Sequence, residues 1–198
     1  MVRVKKTLWI SIISSLLVIL TQFFQWKLIE IITPFLMPFV WLIVYVFFFV
    51  VFIVSVIILF KKKEWKPFMI QMTTILLLYL IPFNQIVLNI DFKTNQLERF
   101  EVVSKIQDGT FKPNVSHNSS LIHLPNEYEH LSNGGGDIVI EKQGEEYSVL
   151  FFTFRGVLGS FSGFVYSPND KNPQPHSFGG DFKQIEKIAK NWYFVASS

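Results

Sequence analysis

The stretch that decides the fold is Phe35–Phe60, FLMPFVWLIVYVFFFVVFIVSVIILF, a run of 26 residues without a charged side chain. As an α-helix it would be about 39 Å long, against a bilayer hydrocarbon core of about 30 Å. A helix buried inside a soluble protein rarely stays uncharged over such a length. The stretch therefore predicts a membrane-spanning helix.

Two further apolar runs flank it. Leu8–Phe24 has 17 residues and Phe68–Ile90 has 23, and neither contains Asp, Glu, Lys, Arg or His. Basic residues precede the first run, as in a signal peptide, but no small-residue cleavage site follows it, so an uncleaved span is predicted. The sequence thus predicts a transmembrane region with three helices, at about 8–26, 35–60 and 68–90.

The basic residues are distributed unevenly around these spans. Seven lie before the first span or in the loop at Lys61–Lys66, whereas one, Lys27, lies in the loop between the first two spans. Because Lys and Arg concentrate on the cytoplasmic side, the N-terminus and the lysine-rich loop are predicted to be inside. The chain is then a multi-pass protein of the cell membrane, and everything after Ile90 is extracytoplasmic.

The two parts of the chain differ in charge. Residues 1–90 contain eight Lys or Arg and two acids, a balance of +6, whereas residues 91–198 contain ten and thirteen, a balance of −3. The basic excess belongs to the flanks of the spans, which argues against nucleic-acid binding by the soluble part. Cysteine is absent, so thiol nucleophiles, disulfides and Cys-ligated metal centres are excluded, and no cofactor is expected.

Polar residues inside the spans recur at helical spacing. In the third span they are Gln71, Thr74, Pro82, Gln85 and Asn89, and in the first they are Ser11, Ser15 and Gln22. Since lipid offers no hydrogen-bond partner, these residues are predicted to face the other helix or another copy of the chain. The spans contain no ionisable residue of the kind that usually marks a substrate pathway, which favours helix packing.

Residues 91–198 predict one extracytoplasmic α+β domain. Leu97, Phe100, Val103 and Ile106 recur every three residues, which predicts an amphipathic helix with its N-cap at Thr94 or Asn95 and its end at Asp108-Gly109. Strands are predicted at 121–124, 137–142, 147–154, 159–167 and 192–196. Residues 182–190 fit either a helix or a strand. The expected fold is an antiparallel sheet of four or five strands with one or two helices.

Four short motifs within residues 120–195 carry a resemblance. They are Leu131–Gly135, Phe154–Gly156, Gly163–Tyr166 and Asn191–Tyr193. The chain resembles small uncharacterised membrane or secreted proteins of low-GC Gram-positive bacteria. That resemblance implies no activity and carries over no site.

Two constellations would supply chemistry if the fold assembled them. His123, His130 and Asp137 are possible zinc ligands, but their spacing matches no recognised pattern, so a metal site is not expected. Ser132 beside His130 and Asp137 would suit a hydrolase, although the chain has no Gly-x-Ser-x-Gly elbow there.

Four other residues are candidates for binding a ligand or partner: Arg155, Tyr166, Trp192 and Tyr193. Arg155 is best suited to an anionic group, and the aromatic residues are typical interface anchors, with core positions as their alternative. The favoured function is a non-enzymatic, membrane-anchored binding or interaction module of the immunity, envelope-stress or assembly-accessory type. The alternatives are an envelope hydrolase using Ser132 and His130, or an accessory subunit of a transporter. The expected partners are the lipid bilayer and a protein outside the membrane, with the oligomeric state open.

Overall fold

Four helices come first in the chain: α1 Val2–Ile32, α2 Met37–Lys62, α3 Lys66–Leu80 and α4 Phe83–Gln107. The computed structural model describes residues 2–156 and 159–198 and divides into two compact units, Met1–Val87 and Leu88–Ser198. Helices α1 and α2 are long and apolar enough to cross a membrane, and α3 with α4 adds a third span if that bent pair counts as one. Two or three membrane spans are therefore available.

The third predicted span is a broken helix. α3 ends at Leu80, α4 begins at Phe83, and the two helices are bent by 57° at the break. Pro82 accounts for the break, since proline has no N–H to donate and disfavours the helical conformation in the residue before it. Ile81 is accordingly extended, with φ −92° and ψ 118°. The prediction of one continuous helix over 68–90 is wrong in this respect.

α4 continues where the sequence predicts a linker and a new helix start. It contains Asp91, Thr94 and Asn95 in its interior. Asn95 Nδ2 donates to Asp91 Oδ1 at 2.8 Å, a contact one turn back along the same helix. The N-cap prediction is wrong because no proline or glycine between Asp91 and Asn95 stops the helix.

Buried polar side chains connect the helices of the first unit. Gln71 Nε2 of α3 donates to Ser14 Oγ at 2.8 Å, to Ser15 Oγ at 3.3 Å and to the main-chain oxygen of Ser11 at 3.1 Å, all on α1. The hydroxyls of Ser11 and Ser55 of α2 are 3.2 Å apart. Gln71 therefore has partners on another helix of the same chain.

The polar residues of the third predicted span do not all face the other helices. Gln85 and Asn89 are exposed, whereas Gln71 and Thr74 are buried. The break at Pro82 separates the two pairs, so they do not share one helical face.

We expect the substitution Gln71→Leu to weaken the packing of α3 on α1. Interhelical hydrogen bonds in bilayers average about 0.6 kcal/mol, so the loss should be roughly 1–2 kcal/mol. The exposed Gln85 offers a matched control, since Gln85→Leu removes the same amide without a buried partner. Unfolding of the full chain in bicelles measures both. An equal loss of stability in the two variants would show that the hydrogen bonds of Gln71 to α1 do not stabilise the packing.

The second unit contains a six-stranded antiparallel sheet in the order β1-β2-β3-β4-β6-β5. The strands are β1 Leu121–His123, β2 Asp137–Gln143, β3 Glu146–Arg155, β4 Phe161–Tyr166, β5 Phe182–Ala189 and β6 Trp192–Ser197. Four or five strands were expected from the sequence. The sixth is β5, in the region that fits either a helix or a strand.

Irregular pairing explains why β5 has helical spacing. Its register with β6 shifts between Phe182 and Gln184 and again between Lys187 and Ala189. An extra residue at such a bulge places Phe182 and Ile185 on the same face of the sheet although they are three residues apart. Ile188, at the second shift, packs in the opposite apolar layer, so the three-residue spacing of Phe182, Ile185 and Ile188 belongs to an irregularly paired strand.

Apolar layers cover both faces of the sheet. Val149 and Phe151 of β3 pack in the layer that includes α4, whereas Leu150 and Phe152 pack on the opposite face. The connection between β4 and β5 contributes Phe178 to that opposite face. Burial on both sides explains why residues 149–152 of β3 form an uninterrupted apolar run.

Candidate functional site

α4 packs on the sheet through a different face from the one its three-residue repeat predicts. Val103 and Ile106 are buried, but Leu97 is 85% exposed and Phe100 is 54% exposed. An α-helix turns about 100° per residue, so a three-residue repeat drifts by roughly 60° at each step. Leu97 thus lies on nearly the opposite side of α4 from Ile106.

The exposed pair adjoins one of the candidate aromatic residues. The ring of Phe100 meets that of Tyr166 edge-on, with centroids 6.3 Å apart. Tyr166 is partly buried and packs on Trp192 with centroids 5.4 Å apart. Burial raises the pKa of the Tyr166 hydroxyl, and the charge of Glu146 adds to that effect. We call Leu97, Phe100 and Tyr166 the Leu97 surface.

A buried arginine of α4 connects this helix to other parts of the second unit. Arg99 is 2% exposed, and its Nη2 lies 2.7 Å from Asp91 Oδ2. Its Nε and Nη2 donate to the main-chain oxygen of Leu131 at 3.2 and 3.1 Å, and the guanidinium carbon is 4.7 Å from the centre of the Phe164 ring. Burial lowers the pKa of Arg99, and Asp91 partly opposes that shift. Arg99 therefore joins α4 to the main chain at Leu131 and to the sheet at Phe164.

Sequence reasoning missed Arg99. The buried positions Phe92, Arg99 and Ile106 are seven residues apart, and this spacing is the signal that was present. From sequence alone, an arginine at position 99 is expected to be exposed to solvent. Its burial becomes understandable only with its hydrogen-bond acceptor, the Leu131 carbonyl.

Asp137 joins two of the candidate residues at the end of the sheet. Its Oδ1 lies 2.9 Å from His123 Nδ1, and its Oδ2 accepts a hydrogen bond from Arg155 Nη1 at 2.8 Å. Arg155 also donates to the main-chain oxygen of Gly134 at 3.3 Å. The cation suited to an anionic ligand is thus already paired with a carboxylate of its own domain.

His130 and Ser132, the two proposed hydrolase residues, have separate partners. His130 Nε2 lies 3.0 Å from Glu98 Oε2, whereas Ser132 Oγ donates to the main-chain oxygen of Asp137 at 2.5 Å. Ser132 Oγ also accepts from the Phe152 N–H at 2.9 Å. Across residues 2–156 and 159–198, no group of three or more His, Asp or Glu could hold a metal ion. The main-chain contacts of Ser132 give it a structural role.

Replacing Ser132 with Ala should therefore destabilise the domain by about 1–3 kcal/mol, because the Phe152 N–H and the Asp137 carbonyl lose a buried partner. Replacing the half-exposed His130 with Ala should cost well under 1 kcal/mol. Urea unfolding of the full chain in mild detergent measures both. A shared loss of hydrolytic activity in two equally stable variants would instead support the hydrolase alternative.

Trp192 and Tyr193 lie in the interior, on opposite faces of the sheet. Trp192 packs with the rings of Phe92 and Phe151 in the layer that includes α4. Tyr193 belongs to the opposite layer, and both residues are at most 3% exposed. Of the four candidate binding residues, Arg155 and Tyr166 are the ones that reach the surface.

The hydroxyl of Tyr193 anchors the connection between β4 and β5. It donates to the main-chain oxygen of Asp170 at 2.7 Å, and Asp170 Oδ1 accepts from the Asn191 N–H at 2.8 Å. Lys187 Nζ lies 2.6 Å from Asp170 Oδ2, and this hydrogen bond is the main reason that the pKa of Asp170 is below its usual range. Tyr193 thus has a structural role in this domain.

No protein-family model, curated protein or solved structure matches the chain significantly. The Leu97 surface is therefore identified only from the exposure of its side chains and the ring contact between Phe100 and Tyr166.

Proposed function

We propose that the protein is a membrane-anchored interaction module whose second unit binds a protein partner on the extracytoplasmic side. The Leu97 surface is the observation that carries this proposal. Leu97 and Phe100 expose apolar area on a helix whose other face is fully packed against the sheet. Water makes such exposure unfavourable by about 25 cal/mol per Å², and clustered exposed apolar side chains are typical of contact sites.

The position of the surface along α4 indicates what kind of partner it fits. Leu97 and Phe100 follow Ile90 by seven and ten residues, or roughly 10 and 15 Å of helix. With the third span ending near Ile90, a partner that contacts both side chains must lie close to the bilayer. We infer a second membrane protein, or a protein held at the membrane.

The charges beside the surface support a protein partner. Lys93, Glu98 and Glu101 are exposed on the same helix, so the apolar side chains have a rim of both signs. Protein interfaces commonly combine an apolar centre with a polar rim. An accessory role beside a transporter is one form of this proposal, in which the transporter is the partner. The main-chain contacts of Ser132 favour an interaction module over the hydrolase alternative.

The orientation is proposed from the basic residues at the N-terminus and at Lys61–Lys66. Because the chain has no cysteine, single cysteines can report it. A membrane-impermeant maleimide should label Lys183→Cys in intact cells and Lys62→Cys only after lysis, since both side chains are exposed. Labelling of position 62 but not 183 in intact cells would contradict the orientation.

Co-purification from mild detergent tests the proposed contact. The double substitution Leu97→Ser/Phe100→Ser should reduce a stably bound partner by roughly tenfold or more, the effect of losing one or two interface anchors. Lys183→Ser/Gln184→Ser is the matched control, because it changes two exposed residues of β5. Equal recovery of the partner with both double variants would exclude the Leu97 surface as its binding site.

A further inference from the structure

The exposed side of α4 extends beyond the Leu97 surface. Ile90, Thr94, Leu97, Glu101 and Ser104 follow one another at alternating spacings of four and three residues, and all five are exposed. At about 100° per residue, this alternation keeps them on one side of the helix, opposite the side that packs in the layer with the sheet. We call these five residues the α4 seam, because two parallel helices pack through rows with this spacing.

The two flanks of the α4 seam have charges of opposite sign. By the same rotation, Lys93 lies on one flank and Glu98 on the other, and both are exposed. Across residues 2–156 and 159–198, Lys93 forms no ion pair, and the partner of Glu98 is a histidine, His130, at 3.0 Å. The helix therefore presents a cation on one flank that has no acidic partner in its own chain.

This pattern is complementary to itself. A symmetric contact between two copies requires one surface that fits its own counterpart. Two copies in one bilayer have the same orientation, so their α4 helices run outward from the third span in the same direction. In parallel helices, a residue on one flank faces the residue five positions later on the opposite flank of the other helix. Lys93 of each copy then faces Glu98 of the other, and two attractive pairs form.

The acid within the seam is held by its own chain. Glu101 Oε1 accepts a hydrogen bond from the Tyr128 hydroxyl at 2.6 Å and lies 2.9 Å from Lys105 Nζ. Lys105 therefore offsets the repulsion that two Glu101 carboxylates would otherwise cause across a symmetric contact.

We propose that the partner at the Leu97 surface is a second copy of this chain, packed through the α4 seam about a twofold axis. This inference rests on the proposed function, since it names the protein that the Leu97 surface binds. Ile90 and Leu97 of one copy meet Ile90 and Leu97 of the other, and the Lys93–Glu98 pairs fix the register on either side. With two apolar positions per helix, the contact is small and the dimer reversible.

Single cysteines in native membranes test the contact, because the natural chain has none. Thr94→Cys places a thiol in the seam while keeping both apolar residues, and a mild oxidant should convert it to a disulfide-linked dimer. Lys183→Cys is the control, since it is exposed on β5 and lies away from the seam. Its dimer yield should be roughly tenfold lower, because parallel helices bring only seam residues next to their own counterparts.

Charge exchange tests the twofold register. Energy transfer between donor- and acceptor-labelled full chains in phosphatidylcholine vesicles, with the labels on Lys183→Cys, measures dimerisation. Lys93→Glu should weaken the dimer roughly fivefold, because two attractive pairs become repulsive. Glu98→Lys should weaken it similarly, and Lys93→Glu/Glu98→Lys should restore it. Lys190→Glu makes the same charge change at an exposed turn and should alter dimerisation by less than about twofold.

The outcomes separate this inference from the proposed function. Equal effects of Lys93→Glu and Lys190→Glu, or no recovery in the double variant, would contradict the twofold register. If Thr94→Cys gave no dimer while a photoreactive analogue at position 97 captured a different polypeptide, the second copy would be excluded and the proposed function would stand. If neither experiment captured any polypeptide, both would be overturned.

Discussion

Replacing Arg99 with Met should destabilise the second unit by about 3 kcal/mol. Removing one partner of a buried ion pair typically costs about 3–5 kcal/mol, and the lower end applies because Asp91 is 37% exposed. The Leu131 carbonyl also loses both guanidinium hydrogen bonds. Urea unfolding of the full chain in mild detergent, followed by amide exchange in the sheet, measures the loss.

Two variants separate the geometry of Arg99 from its charge. Arg99→Lys keeps the cation but lacks the planar fork that reaches Leu131 and Asp91 together, so its loss should be intermediate. Asp91→Asn should cost less than Arg99→Met, since the bonds to Leu131 remain. If Arg99→Met lowered the free energy of unfolding by less than about 1 kcal/mol, the contacts of Arg99 would not be what holds α4 in place.

Replacing Gly163 with Ala should cost about 3 kcal/mol or more, at the upper end of overpacking effects. A Cβ at this position would lie 2.3 Å from the Phe151 carbonyl oxygen and 2.7 Å from Leu150 Cδ1. Phe151 cannot move easily, because β3 is paired with β2 on one side and with β4 on the other.

Gly135 provides the control for this effect. A Cβ there would have nothing within 4 Å, although its φ of +97° still disfavours alanine. Gly135→Ala should therefore cost about 1–2 kcal/mol from backbone strain alone. The same unfolding experiment compares the two, and a smaller loss at Gly163 than at Gly135 would contradict the close approach.

Apolar length and strand glycines were the strongest sequence signals. A helix without charges over Phe35–Phe60 has few stable surroundings besides lipid, so the membrane character follows from composition. Gly163 lies in the strand predicted at 159–167, where a glycine is typical of a close backbone approach, and a Cβ there would meet the Phe151 carbonyl. In both cases the residue type alone restricts the surroundings in which the segment is stable.

Other features depend on partners far away in sequence. Arg99 is buried because the Leu131 carbonyl, 32 residues later, accepts its hydrogen bonds. The bulges of β5 give its apolar residues a spacing that also fits a helix, and only the pairing with β6 identifies it as a strand. Trp192 and Tyr193 lie on opposite faces of a sheet that is covered on both, which their own sequence does not reveal.

The exposure of Leu97 and Phe100 was hidden by the same three-residue repeat that suggested the helix. The repeat is real, but it drifts around α4, so its first two members leave the face that its last two members bury. Two residues that the amphipathic repeat predicts on its buried face are thus exposed.

Photo-crosslinking in living cells tests the Leu97 surface most directly. A photoreactive phenylalanine analogue at position 97 or at position 100 should form an adduct with the same second polypeptide, because the two side chains belong to one surface. The analogue at the exposed position 183 of β5 should form no such adduct. Adducts at 97 and 100 with lipid alone, or no adduct at either position, would contradict the proposed protein partner.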